Sequence, residues 1–145
     1  MTTTTTNNIM TTTRSKKVLY WETTGFAVLA LTAIAAANIA RVPAVIAGLT
    51  HLGYPAYFAT ILGVWKLLGV AAIVAPGLWR VKDLAYAGMF FVLTGAAMSH
   101  AVSGDAVGNI LFPLVLLGFV VASWALRPAR EAVVVPAQVL AGQAA

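Results

Sequence analysis

YFATILGVWKLLGVAAIVA, Tyr57 to Ala75, is a run of apolar and small residues interrupted by one charge, Lys66. Its length matches the roughly 20 residues that cross a hydrocarbon core of about 30 Å at 1.5 Å per residue. Three further runs have the same character: Val18 to Ala40, Leu84 to Val102 and Ala106 to Leu126. The sequence therefore predicts an all-α integral membrane four-helix bundle, with spans at about 18–40, 57–75, 84–102 and 106–126. Composition agrees, since 61% of the 145 residues are hydrophobic and only 9% are charged. A soluble shell for so small a domain needs about 25% charged residues; a lipid-facing surface does not.

The first run has a rival reading. Arg14, Lys16 and Lys17 before an apolar stretch resemble the start of a signal peptide, but the run is too long and Glu22 interrupts its beginning. The formal net charge of +5 could suggest nucleic acid, which requires basic residues clustered on one face. Here they mark span ends: Arg14, Lys16 and Lys17 before the first, Arg80 and Lys82 between the second and third, Arg127 and Arg130 after the fourth. With only Arg41 opposite, this asymmetry places both termini in the cytoplasm. No nucleic-acid partner is expected; the bilayer is. The Thr-rich residues 1–17 and residues 127–145, with Pro128 and Pro136, lack core periodicity and are expected to be flexible tails.

Between Arg41 and Ala56, apolar residues alternate with small ones from Pro43 to Pro55. A short interfacial helix from about Pro43 to Thr50, with Pro at its first position and Gly53 beyond its end, fits this pattern.

Lys66 is the residue that lipid should exclude. A lysine at a span centre is disfavoured by about 2.5 to 3.5 kcal/mol, so such residues turn inward and find partners. Gly63 and Gly69, one turn to either side, leave room for a helix or a ligand. Side chains lean toward the N-terminus of their helix, so Lys66 reaches outward while His100, on an opposed span, leans inward. The two are expected to approach one level, with Asp105 as counter-charge. His51, Tyr54 and Asn109 lie at similar depth, and Pro113 leaves the Asn109 carbonyl without its helical donor. Trp65 lies deep, facing lipid or bundle, whereas Trp21, Tyr57, Trp79, Tyr86 and Trp124 read as interface anchors. Gly88, Gly95 and Ser99 read as a helix-contact seam.

The segments His51-Leu-Gly-Tyr-Pro-Ala-Tyr57, Leu62-Gly-Val-Trp-Lys-Leu-Leu-Gly69, Lys82-Asp-Leu-Ala-Tyr-Ala-Gly88 and Thr94-Gly-Ala-Ala-Met-Ser-His100 resemble the DoxX-like family of small bacterial membrane proteins. The resemblance runs from about Tyr20 to Arg127. It implies a four-helix membrane domain in the inner membrane, and it carries Lys66, His100, Gly53, Tyr54, Pro55 and Gly69 as residues of the family pattern; Asp83 stands where the pattern often has Glu. It also implies an association with redox systems, one relative being a membrane subunit of a thiosulfate:quinone oxidoreductase.

The chain has no cysteine, which removes thiolate nucleophiles, disulfides and iron–sulfur ligation. The leading expectation is a subunit of a redox system in which Lys66 and His100 serve a quinone-like head group, with a redox partner subunit. His51 and His100 as axial ligands of haem b are the weaker reading, for want of a spacing motif, and no metal site is read. The alternatives are a cofactor-free enzyme with His100 as acid or base, Asp105 orienting it and Lys66 stabilising negative charge; a homo-oligomeric carrier or channel; and a scaffold subunit without chemistry.

Overall fold

The computed structural model describes residues 2–127, with side chains described from Ser15 onward. The described residues form five helices: α1 (Thr2–Ile39), α2 (Pro43–His51), α3 (Phe58–Val74), α4 (Trp79–Val102) and α5 (Val107–Leu126). Within α1, Ser15–Ile39 is long and apolar enough to cross a membrane, as are α4 and α5. The 17 residues of α3 fall at the short end of spanning length, about 25 Å. The four long helices form a ring in the order α1, α3, α4, α5, each touching its two neighbours. Connections of four residues join α3 to α4 and α4 to α5, which makes those neighbours antiparallel.

The helix of the first span begins well before Val18. Neither glycine nor proline occurs between Thr2 and Thr24, so no local stop signal separates the Thr-rich segment from the apolar run. The C-terminal tail expected at residues 127–145 lies, but for Arg127, outside the described residues.

Each of the four long helices turns a stripe of residues three and four apart inward. On α3 the stripe is Ala59, Gly63, Lys66, Val70 and Ile73; on α4 it is Tyr86, Met89, Leu93 and Ala97; on α5 it is Pro113, Leu116, Val120 and Ser123. Leu31 of α1 is 1% exposed at the centre. Leu84, Phe91 and Phe112 lie on the outer surface, the distribution that a hydrocarbon solvent permits.

Close approach between helices falls at two α3 glycines. A Cβ at Gly63 would lie 2.6 Å from Ile39 Cγ1 and 2.8 Å from the Ala35 carbonyl oxygen, and one at Gly69 would strike the terminal methyl of Met89. The seam expected on α4 is absent: Gly88 and Gly95 are exposed, and no atom would lie within 4 Å of an added Cβ at either. Spacing alone did not reveal which face of α4 turns inward; the buried Tyr86–Met89–Leu93–Ala97 face does. Tyr86 is correspondingly 5% exposed and belongs to the core rather than to the interface belt.

Gly63→Leu is expected to destabilise the bundle by about 1 to 3 kcal/mol through overpacking against the α1 backbone. Gly95→Ala, facing open space, should leave stability within about 0.5 kcal/mol. Thermal or denaturant unfolding in detergent distinguishes the two.

Candidate functional site

Three helix ends meet near α2, and all close in the same way. The amide of Val42 bonds the Ala37 carbonyl at 3.1 Å, that of Tyr54 bonds Leu49 at 2.9 Å, and that of Asp105 bonds His100 at 3.0 Å. In each turn the preceding residue is left-handed: Arg41 (φ 52°), Gly53 (φ 84°) and Gly104 (φ 72°). This six-to-one closure satisfies helix-end carbonyls and folds the next residue back over its own helix. It therefore brings Asp105 to His100 and directs Tyr54 toward α4.

The result is a carboxylate shared by two imidazoles. His51 Nε2 lies 2.7 Å from Asp105 Oδ1, and His100 Nδ1 lies 2.6 Å from Oδ2. An ionised carboxylate only accepts, so both of these nitrogens carry hydrogen, and the basic nitrogen left on a neutral His100 is Nε2. The His51 side chain is 57% exposed, those of His100 and Asp105 26% and 14%, so the trio leads from surface to half-buried interior. Nearby, Tyr54 Oη and Ser99 Oγ are 2.9 Å apart. Hydrogen bonds from His100 first, and from His51 second, hold the Asp105 carboxyl below its ordinary 3.8. Among the described residues, no set of histidine and carboxylate side chains is arranged to hold a metal ion.

Lys66 belongs to a different layer. It faces inward and is 9% exposed, but no hydrogen bond or ion pair joins it to His100 or Asp105. Gly69 opposite Met89 sets Lys66 against Val92 and Leu93 in the antiparallel α3–α4 pair. His100 is then eight residues further along α4, about 12 Å of rise. The two basic residues, expected to approach one level, share no hydrogen bond or ion pair: their backbone positions stand about two turns apart, a gap that the opposed leans of the two side chains shorten. Asp105 serves the two histidines instead.

What does approach the Lys66 level is Asn38. Gly63, one turn from Lys66, packs against the Asn38 Cβ position; Asn38 is 4% exposed and its Nδ2 is buried with no hydrogen-bond partner. On its other side Lys66 borders a groove of about 340 Å³ between α3 and α4, whose walls include Trp65, Gly69, Gly88 and Met89. Trp65, 65% exposed, stands at the groove's outer wall. Asn109 is exposed, outside the interior cluster that its sequence position suggested.

A polar cluster at the other end of the bundle escaped sequence reasoning. Ser123 Oγ lies 2.6 Å from Thr24 Oγ1 and 2.8 Å from Tyr86 Oη, joining α1, α4 and α5. Such bonds between membrane helices contribute about 0.6 kcal/mol each on average. The available signal was a serine and a threonine at inward helical spacing within otherwise apolar runs. At the same end Arg127 donates to Asp83 Oδ1 at 2.7 Å.

Asp105 ties α2 to the α4–α5 turn, and the sign of its pH dependence follows from the lowered carboxyl. Its contribution is complete above about 3.8 and is lost as pH falls below that through the depressed folded value. Amide hydrogen exchange in α2, corrected for intrinsic rate, should accelerate only in that acid window. Asp105→Asn should produce the same loosening at neutral pH; unchanged protection would show that other contacts hold α2.

The sequence profile of the DoxX-like family matches residues 23–123. No curated protein and no solved structure is significantly similar to the chain.

Proposed function

The chain belongs to the DoxX-like family, and we propose that this membrane protein holds a quinone-like lipophilic molecule beside Lys66 as a small subunit of a redox system. The observation that carries the reading is Lys66 itself. Buried on the α3 seam, it borders a groove of about 340 Å³ walled almost wholly by apolar side chains. A ligand entering from the bilayer would place its tail along Leu68, Ala72, Leu84 and Ala85 and a hydrogen-bond acceptor at the ammonium. The amide of Asn38, without a partner, offers a second donor at the neighbouring layer.

In this reading, the His51–Asp105–His100 trio handles protons rather than the head group, because it lies about two turns beyond Lys66. The carboxylate fixes the His100 tautomer, and exposed His51 connects it to water. With the positive span ends cytoplasmic, α2 and the trio face outward. A redox partner or a second copy of the chain would supply the electron path that this cysteine-free subunit lacks.

One observation favours a second reading. A histidine oriented by a carboxylate is the arrangement of a general base, so His100, positioned by Asp105, fits a cofactor-free enzyme acting on a lipophilic substrate. Turnover by the purified protein alone would select that reading.

Gently extracted wild-type protein should co-purify with quinone, detected by absorbance and mass spectrometry. Lys66→Met, close in size but without charge, should lower retention by about tenfold or more, the loss of one charge-assisted hydrogen bond of roughly 1.5 to 3 kcal/mol. Equal retention in the variant, or none in the wild type, would overturn the proposal.

A further inference from the structure

The bundle has a second and larger cleft, of about 1100 Å³, between α4 and α5 at the end remote from α2. Its mouth carries Arg80, Arg127, Trp79 and Trp124; its depth is lined by Phe90, Phe91 and Val121. From Trp79 to Phe91 it follows about 18 Å of helix rise, extending from the helix end toward the middle of the hydrocarbon layer.

Arg127 gives the mouth its chemistry. It caps α5, with its guanidinium 5.6 Å from the centre of the Trp79 ring and 5.8 Å from that of Tyr86. Nη2 donates to Asp83 at 2.7 Å, whereas Nη1 is buried with no hydrogen-bond partner among the described residues. A buried donor of a charged group without an acceptor is unfavourable, and a second anion removes the penalty. Asp83 meets only one nitrogen, and Arg80 adds a further cation at the same mouth. An apolar trough leading to two arginines beside a single carboxylate, with Arg127 Nη1 left unpaired among the described residues, is complementary to an amphiphile with an anionic head.

We infer that this cleft is a binding site for an anionic phospholipid, its phosphate on Arg127 and Arg80 and one acyl chain along Phe90, Phe91 and Val121. The planar guanidinium matches phosphate oxygens in pairs, and the flanking indoles suit the head-group boundary. The acyl trough commits the site to a lipid rather than to free phosphate, which would have no use for it. This site is separate from the groove at Lys66, on a different pair of helices.

The test is native mass spectrometry of the full chain released from bilayers containing equal parts of phosphatidylglycerol and phosphatidylcholine. Wild type should retain phosphatidylglycerol in preference. Arg80→Gln should reduce that preference by about fivefold, and Arg127→Gln by more. Because Arg127 also packs on Trp79 and Tyr86, Ala87→Trp serves as an independent variant that fills the trough while leaving both arginines; it should lower retention of the bound lipid. Equal retention of the two lipids by wild type, or selectivity unchanged in both Arg80→Gln and Ala87→Trp, would overturn the assignment. Quinone retention at Lys66 should not respond to these variants, so failure here is distinguishable from failure there.

Discussion

A backbone surrounded by hydrocarbon has no water to bond, so within the bilayer every amide and carbonyl must find its partner inside a helix. That constraint arranges the rest of the molecule. Left-handed residues, tight turns and the short α2 helix are confined to the ends of the bundle, and most polar chemistry collects there with them. The three six-to-one turns beside α2 both close helix ends and carry Asp105 to the two histidines. Buried polar side chains within the spans, among them Lys66, Asn38 and the hydroxyl cluster at Ser123, lie on inward stripes, whereas Thr32 and Thr94 bond carbonyls of their own helices.

Two kinds of polar site result. At the ends, most groups are paired: Asp105 with His51 and His100, and Arg127 through Nη2 with Asp83, although Arg127 Nη1 is left without a partner among the described residues. In the interior near Gly63, polar atoms remain unmatched, with Asn38 Nδ2 the clearest case. Paired groups hold the frame, and unmatched ones are where a ligand's own polar atoms have most to offer. The distinction separates positions whose substitution loosens α2 from those whose substitution empties a site.

The helix count was legible because each apolar run carries its own evidence, and Pro43 and Gly53 marked α2 closely. Lys66 was legible as an inward residue, since its cost in lipid does not depend on which helix lies opposite. Its partners were not. The offset between α3 and α4 shows in the packing of Met89 against Gly69 and depends also on the length of the intervening turn; neither can be derived from the direction in which side chains lean. The same holds for Thr24 and Ser123, separated by 99 residues in sequence and by 2.6 Å in space. On α4, glycine spacing suggested one face as the contact surface, but the larger side chains of Tyr86 and Met89 were the ones that filled the interior.

The groove beside Lys66 lies between α3 and α4 on the face of the bundle that lipid surrounds. A molecule reaching it by that route diffuses in two dimensions and is supplied by its mole fraction in the leaflet, not by its concentration in water. Apparent affinity measured against an aqueous ligand would therefore contain a partition coefficient as well as a contact energy, and extensive detergent dilution, unlike gentle extraction, would lower occupancy without any change in the protein.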